Sequence, residues 1–293
     1  MKKNIKQIAI IGLGLIGGSL AKALQGKGYK VIGITKSSKT IRLALKEKAI
    51  HKGFTKLSSK TLENIDLIFI CTPLHLIIGY LNKISKLKLK PGIIITDVGS
   101  TKSEICKQAE RGFQKNIIFI GSHPMAGTEK TGFTASDKNL FENCSWILTP
   151  NRNNNKEALA NIKSIVKKVG ASPIVTTPEN HDQATALISH LPLLTSVGLC
   201  ETVRGSSYKE LASIIASSGF RDTTRIAGGN PEMNSNLLIS NYLILKKVLP
   251  VYIKELNNIL RMANTKSKSL HRKLNNVSKW RNSLYNLGNK KVV

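Results

Sequence analysis

The sequence predicts an α/β protein, with a doubly wound parallel sheet in its first part and helices alone in the rest. Short apolar runs alternate with segments of helical periodicity up to residue 175, and a glycine-rich turn joins the first run to the first helix. From Pro178 onward the β-rich runs disappear. Such alternation is typical of parallel strands joined by right-handed helical crossovers. We place a domain boundary near Thr177, which gives a first domain of residues 1–177 and a second of 178–293.

Each predicted strand is a short apolar run that ends at a turn or a polar residue. These strands are residues 6–11, 29–35, 66–71, 92–97, 116–120, 145–149 and 172–175. The helices predicted between them are residues 15–25, 40–48, 74–87, 103–111 and 157–169. In the second domain we expect helices at 181–201, 208–217, 231–240 and 241–263, and an amphipathic helix after Thr265. The helix that begins near Asp182 is apolar nearly all round, which predicts burial within the domain or between subunits.

Composition excludes several classes of protein. The chain has 293 residues, of which 41% are hydrophobic and 21% are charged, as in ordinary globular proteins. It has no uninterrupted apolar stretch of about 18 residues, so we expect no membrane-spanning helix. The four cysteines are scattered without a CxxC pair. We therefore expect no disulfide framework and no metal site, and a reducing cytoplasmic location.

The net charge of +28 raises the alternative of nucleic-acid binding. The basic residues are spread along the chain, however, and no basic stripe has interleaved aromatic residues. We therefore interpret them as solvated surface and expect neither a nucleic-acid nor a membrane partner. A basic field would still attract an anionic substrate and a phosphate-rich cofactor.

A G-x-G-x-x-G motif lies between the first strand and the first helix, where a dinucleotide-binding fold of Rossmann type needs it. Gly12 permits the tight turn, Gly14 allows a pyrophosphate to approach the backbone, and Gly17 lets helix and strand pack closely. The alternative, a glycine-rich turn without a ligand, does not account for this context. The predicted cofactor contacts at this edge of the sheet are Gly12, Gly14, Leu15, Ile16, Gly17, Cys71, Thr72, Pro73 and Ser100.

The end of the second strand favours NADP over NAD. An NAD site usually has an acidic residue there, which binds the ribose hydroxyls and would repel a 2′-phosphate. Here no carboxylate occurs before Glu47, and hydroxyls and cations follow the strand instead. The predicted 2′-phosphate contacts are Thr35, Lys36, Ser37, Ser38 and Lys39. The alternative is one more lysine-rich patch in a lysine-rich chain.

Three further segments carry chemistry: DVGSTK (97–102), SHPMAGTE (122–129) and GFRDTTR (219–225). The first two follow predicted strands, so Ser100 and His123 are expected beside the nicotinamide. A histidine there suggests a general base that takes a hydroxyl proton. The arginines of the third segment suggest a substrate that carries a carboxylate.

With GLGLIGGSLA at the start and TTRIA at the end, these motifs resemble the TyrA family of prephenate and arogenate dehydrogenases, over about residues 8–241. The resemblance implies a Rossmann domain followed by an all-helical dimerisation domain, and hence a homodimer. It also implies the oxidative decarboxylation of a small cyclohexadienol to a phenol, on the pathway to tyrosine.

The resemblance assigns roles by position. His123 matches the base that deprotonates the ring hydroxyl, and Ser100 matches the serine bonded to the same hydroxyl, although Ser100 could also cap the next helix. The implied substrate contacts are Arg225, Arg221, Thr128, Glu129 and His190, of which Arg221 could be structural, Glu129 a surface acid and His190 a helix-core residue. We interpret His51, His75 and His271 as structural or surface residues.

The chain departs from the family pattern at Leu193, where many prephenate-specific members have a second histidine after the proline. This departure and the NADP-like strand end favour arogenate dehydrogenase activity, as in the cyanobacterial and plant enzymes. Prephenate dehydrogenase activity with NAD or NADP is the alternative. A β-hydroxyacid dehydrogenase would leave SHPMAGTE unexplained, and a non-catalytic NADP-binding regulator or a nucleic-acid-binding module is favoured only by the charge.

Overall fold

The computed structural model describes residues 5–114, 116–128, 130–151, 155–264 and 268–286. It divides into two compact units, Met1–Asn241 and Tyr242–Val293. The first unit contains the sheet, the helices that alternate with its strands and the helices that follow, and the described part of the second unit contains two helices. The domain boundary proposed near Thr177 lies inside the first unit and stays a prediction.

Eight strands form one sheet in the order β3-β2-β1-β4-β5-β6-β7-β8. They are β1 Gln7–Ile11, β2 Lys30–Ile34, β3 Lys52–Phe54, β4 Leu67–Ile70, β5 Ile94–Asp97, β6 Ile118–Pro124, β7 Ser145–Pro150 and β8 Ser172–Val175. The doubly wound Rossmann arrangement is confirmed. One expectation was wrong, because β7 runs antiparallel to β6 while the other neighbouring pairs are parallel. The short strand β3 was not predicted, because its sequence KGF lacks an apolar run.

Helices cover both faces of the sheet. They are α1 Leu15–Ala23, α2 Ser38–Lys46, α3 Ser59–Leu62, α4 Leu74–Ser85, α5 Ser103–Gly112 and α6 Lys156–Lys168. Alternate residues of β1 enter different cores, since Ile8 and Ile10 pack on one face and Ala9 and Ile11 on the other. Burial on both faces explains why β1 is a continuous apolar run.

The predicted helix over 181–201 is instead three consecutive segments: α7 Pro178–Thr185, a π-helical turn Ala186–His190, and α8 Leu191–Arg204. Pro192 has no N–H to donate to the carbonyl of Ile188, and a wider turn accommodates the missing bond. Beyond them lie α9 Lys209–Ile215, α10 Ser218–Thr224, a 3₁₀ turn Arg225–Gly228 and α11 Pro231–Ser240.

The second unit consists of α12 Tyr242–Asn264 and α13 Lys268–Asn286. A salt bridge of 2.6 Å joins Lys273 Nζ on α13 to Glu255 Oε2 on α12. The helix expected after Thr265 is therefore present.

Among the described residues, the helical stretch Pro178–Arg204 is long and apolar enough to cross a membrane by length and composition alone. This is weak evidence for a span, because core helices of soluble proteins meet the same criterion. His181, Asp182 and His190 within it are buried, and their side chains are hydrogen-bonded to other residues of the first unit.

Candidate active site

The glycine motif has the geometry that its spacing predicts. Gly12 has a φ of +96°, and a Cβ there would lie 2.6 Å from the carbonyl oxygen of Cys71. A Cβ on Gly17 would lie 1.9 Å from the Gly12 carbonyl oxygen, so close packing requires glycine. Gly14 instead faces open space and begins α1 without a side-chain cap. The free N–H groups of this helix start can therefore bind a phosphate.

A cavity of about 420 Å³ extends from this loop along the carboxyl edge of the sheet. Its lining includes the predicted residues Gly14, Leu15, Ile16, Cys71, Thr72, Pro73, Ser100 and Thr128, together with residues of α11. The buried hydroxyl of Thr72 has no hydrogen-bond partner among the described residues, so a ligand polar group could satisfy it. The residues present thus fit a nicotinamide dinucleotide.

The predicted 2′-phosphate contacts follow β2 and begin α2. Thr35 is half-buried, and Lys36, Ser37, Ser38 and Lys39 are exposed. The Ser37 hydroxyl accepts a hydrogen bond of 3.1 Å from the Thr40 N–H and so caps α2. The first turn of α2 contains no acidic residue. These five residues do not line the cavity, and cations and hydroxyls surround the strand end as expected.

A buried ion pair fixes the strand ends beneath the site. Lys102 Nζ pairs with Asp97, with both side chains fully buried, and donates a 2.9 Å hydrogen bond to the Ser122 carbonyl. The Ser122 hydroxyl donates to the Asp97 carbonyl at 2.6 Å and accepts from Trp146 Nε1 at 3.0 Å. This network joins β5, β6 and β7 at Ser122, the residue that precedes His123.

His123 lies within β6 and not after it, because the strand continues to Pro124 through its pairing with β7. Its Nδ1 lies 2.9 Å from Nε2 of His181, and the two rings meet edge to face at 5.1 Å. His181 Nδ1 in turn lies 2.8 Å from Asp182 Oδ1. His181 and Asp182 are buried, whereas His123 is half-buried.

Asp182 caps α5 from another helix. Its carboxylate accepts hydrogen bonds from the backbone N–H groups of Lys102 at 2.7 Å and Ser103 at 2.8 Å. The positive end of the helix dipole further stabilises the negative charge. The expectation that Ser100 caps this helix is wrong, because the cap position is Lys102 and the cap bonds end on Asp182. Ser100 lines the cavity instead.

Electrostatics keep the site ready to accept a proton. Burial, the largest cause, and the neighbouring His181 and Lys102 hold the pKa of His123 well below its usual 6.5, while Asp182 acts in the opposite direction. Burial raises the pKa of Asp182, but hydrogen bonds from His181 and Ser103 outweigh it and leave that pKa below 3.8. At neutral pH a neutral His123 therefore stands near a buried carboxylate.

His190 is buried away from the cavity lining. Asn241 Nδ2 donates to the Asp182 carbonyl at 2.9 Å and lies 2.9 Å from His190 Nδ1. Because the carbonyl only accepts, this amide donates to both partners, and neutral His190 carries its proton on Nε2. Burial lowers the pKa of His190 to about 4, with a smaller opposing effect of Asp182. Leu193 is also buried.

His123 is not among the residues that line the cavity, and the remaining predicted contacts are not assembled around it either. Arg221 is exposed on α10 and pairs with Asp222 at 2.9 Å, and Arg225 is exposed in the following 3₁₀ turn. Neither arginine lines the cavity. Glu129 lies outside the described residues. Within the described ranges no group of three His, Cys, Asp or Glu side chains could hold a metal ion.

Sequence reasoning missed the partners of His123. In the sequence analysis His181 received no role and Asp182 only marked the start of an apolar helix, and the Asp97–Lys102 pair and Asn241 received no role. The sequence offers one local signal, an adjacent His-Asp pair near the start of an apolar helix. Residue spacing alone could not predict that this pair contacts β6.

Comparisons with known proteins agree with this geometry. The model of the nucleotide-binding domain of prephenate dehydrogenase matches residues 20–175, and that of its dimerization domain matches residues 177–276. The chain is 34% identical to the prephenate dehydrogenase of Bacillus subtilis, over 86% of this chain and 68% of the relative. The chain belongs to the prephenate dehydrogenase family. It is therefore a dehydrogenase whose cofactor is a nicotinamide dinucleotide.

Other members of the prephenate dehydrogenase family differ in their named substrates. The cyclohexadienyl dehydrogenase of Zymomonas mobilis is 31% identical, over 87% of each chain. The structure of Synechocystis arogenate dehydrogenase matches with a TM-score of 0.85 and 35% identity, over 95% of this chain and 99% of that one. Aquifex aeolicus prephenate dehydrogenase, solved with hydroxyphenyl propionate and NAD⁺, matches with a TM-score of 0.88 and 29% identity. The match covers 97% of this chain and 100% of that one.

Proposed function

We propose that this dehydrogenase converts L-arogenate to L-tyrosine by oxidative decarboxylation, with NADP⁺ as the hydride acceptor and His123 as the general base. The observation that carries the proposal is a neutral histidine at the carboxyl end of β6, held at Nδ1 by His181, so that Nε2 is the nitrogen left to take a proton. Ser100, expected to bond the same substrate hydroxyl, lines the cavity that begins at Gly14.

The reaction needs one proton acceptor beside a hydride acceptor. A nicotinamide dinucleotide held by the glycine loop and the cavity lining would supply the acceptor for a hydride from C4 of the ring. His123 Nε2 takes the proton of the C4 hydroxyl, so that C4 becomes a carbonyl carbon. The bond between C1 and its carboxylate then breaks, CO₂ leaves, and the electron pair makes the ring aromatic. His123 returns its proton to the phenolate oxygen, so the enzyme ends in its starting state.

The substrate choice depends on Leu193. A histidine donor at this position would suit the keto group of prephenate, whereas arogenate carries an ammonium group there. Leu193 offers no donor, which disfavours prephenate. The similarity to Synechocystis arogenate dehydrogenase supports arogenate, and the similarity to the Bacillus subtilis prephenate dehydrogenase supports the alternative.

The cofactor choice depends on the end of β2. Thr35 and the four residues after it offer hydroxyls and ammonium groups to a 2′-phosphate, and no carboxylate lies in the first turn of α2. A Thr35→Asp variant would place a negative charge beside that phosphate. We expect it to weaken NADP⁺ and to shift the preference toward NAD⁺.

We further propose a cytoplasmic homodimer that associates through the helical region, with its domain boundary near Thr177. The two family models meet between residues 175 and 177, and the second is named for dimerization. Large apolar side chains are exposed in the helical region, among them Ile188, Ile214 and Ile239.

The four cysteines are free, as in a reducing compartment. No nucleic-acid or membrane partner is included in the proposal.

One set of assays tests substrate and cofactor together. We would measure kcat/KM for arogenate and prephenate, each with NADP⁺ and NAD⁺, for the natural chain and for Leu193→His and Thr35→Asp. We expect arogenate with NADP⁺ to be fastest, and Leu193→His to raise activity on prephenate. Faster turnover of prephenate by the natural chain would reverse the substrate assignment, and equal or better use of NAD⁺ would reverse the cofactor assignment.

A further inference from the structure

Two hydrogen bonds link His123 to His181 and His181 to Asp182, and the ionised Asp182 determines which group donates in each of them. Asp182 accepts two backbone N–H bonds and lies 2.8 Å from His181 Nδ1. An ionised carboxylate has no proton to donate, so His181 Nδ1 must carry the proton of that contact.

The next contact follows from the first. A neutral His181 protonated at Nδ1 has a bare Nε2, which can only accept. Its partner at 2.9 Å is His123 Nδ1, so the proton of that contact belongs to His123. A neutral His123 protonated at Nδ1 has its lone pair on Nε2, the nitrogen that does not face His181.

We propose that His181 is a positioning residue, which holds His123 in the tautomer whose Nε2 can take a proton, with Asp182 fixing the direction of the chain. This inference rests on the proposed role of His123 as the base. Protonation of His181 at Nε2 would reverse the tautomer of His123. The new N–H of His181 would donate to His123 Nδ1, and the proton of His123 would then lie on Nε2.

The groups around His123 show that its hydrogen bond to His181 determines its tautomer. The charged and titratable groups near His123 are Lys102 at the start of α5, paired with Asp97 of β5, then His181 and Asp182 of α7, and His190 of the π-helical turn. Lys102 is bound to Asp97 and Ser122, and His190 to Asn241. Among the described side chains, His181 is the one that hydrogen-bonds to the His123 ring.

The tautomer can be observed without any substrate. The chain has six histidines, so histidine labelled with ¹⁵N in the ring gives a small set of signals, and that of His123 is identified by its loss in His123→Asn. We expect Nδ1 of His123 to be protonated and Nε2 to be bare in the full chain near pH 7. A protonated Nε2 would overturn the proposal, whatever the substrate proves to be.

Kinetics test whether the tautomer matters. His181→Phe removes the hydrogen-bond acceptor of His123 but keeps an aromatic ring at this position. We expect kcat to fall by about tenfold or more, but by less than the ~10²–10⁴ fall in kcat expected when the base itself is lost. His181→Gln offers an amide oxygen to His123 Nδ1, and we expect it to recover much of the rate. KM for the cofactor should not change, and His271→Phe on the exposed face of α13 is the matched control.

The outcomes separate the two proposals. If His123→Asn is fully active, His123 is not the base and the proposed mechanism fails. If His123→Asn is inactive but His181→Phe keeps kcat within about twofold, the base stands and the positioning role is wrong. If His181→Phe does not fold, the ¹⁵N pattern of the natural chain and the activity of His181→Gln still decide the matter.

Discussion

The sheet region and the helices α9–α11, both in the first unit, bury their side chains very differently. In β1 and β4 nearly every side chain is buried, and the sheet packs against a core on each face. In α9, α10 and α11 no residue is buried, and Ile214 of α9 is 81% exposed. The sheet region thus completes its own core, whereas these helices carry apolar surface that remains to be covered. The difference separates residues that stabilise the fold from residues that we assign to association.

The largest expected effect is a loss of activity when the base is replaced by a residue that leaves the packing unchanged. His123→Asn keeps a polar side chain at a half-buried position, so we expect unchanged cofactor binding and thermal unfolding. Loss of the base should lower kcat by roughly 10²–10⁴. Steady-state kinetics across the pH range check this, and a kcat near that of the natural chain would contradict the assignment.

The next effect tests how strongly the interior of the sheet region depends on one ion pair. Lys102→Met leaves Asp97 buried without its partner, and breaking such a pair costs about 3–5 kcal/mol of unfolding free energy. The control is Lys90→Met, because Lys90 pairs with Asp66 near the surface, with 34% of the lysine side chain exposed. We expect it to cost less than about 1 kcal/mol. Equal losses in urea unfolding would show that the burial of the first pair is unimportant.

The third prediction concerns the exposed helices. Ile214→Glu should weaken self-association by about 2 kcal/mol or more, which is roughly thirtyfold in the dissociation constant. The matched control is Leu45→Glu on α2, where a partly exposed leucine of the sheet region receives the same charge. Light scattering near micromolar concentration should give twice 32.1 kDa for the natural chain and the control. A monomeric natural chain would remove the homodimer proposal.

The smallest effect concerns pH. With its usual pKa of 6.5, His123 would lose about three-quarters of its neutral form between pH 7.5 and 6. Burial, the largest cause, and neighbours that include Lys102 lower that pKa, so His123 stays neutral and its protonation limb moves to more acidic pH. We expect kcat/KM to change by less than about twofold over this range. A fourfold decline would mean that the environment of His123 is more open to solvent than its partners imply.

Local patterns predicted the elements of the sheet region well, because each buried strand is an apolar run and the glycine spacing has one physical use. The strand end at Ile120 was misjudged, since SHP has no apolar periodicity and joins β6 only through pairing with β7. The His-Asp pair of α7 could not be located for a similar reason. Its position depends on the packing of α7 against α5, which no local periodicity encodes.

The same carboxylate that directs the histidine chain also caps α5, and this has a consequence for modularity. A fragment that ended at residue 177 would keep the glycine loop, Ser100 and His123, and would still look like a whole nucleotide-binding module. It would lack Asp182, so the start of α5 would lose its cap and His123 its orientation. Recombining such a module with a foreign helical partner would transfer cofactor binding but not the proton acceptor, unless the first turns of α7 were transferred with it.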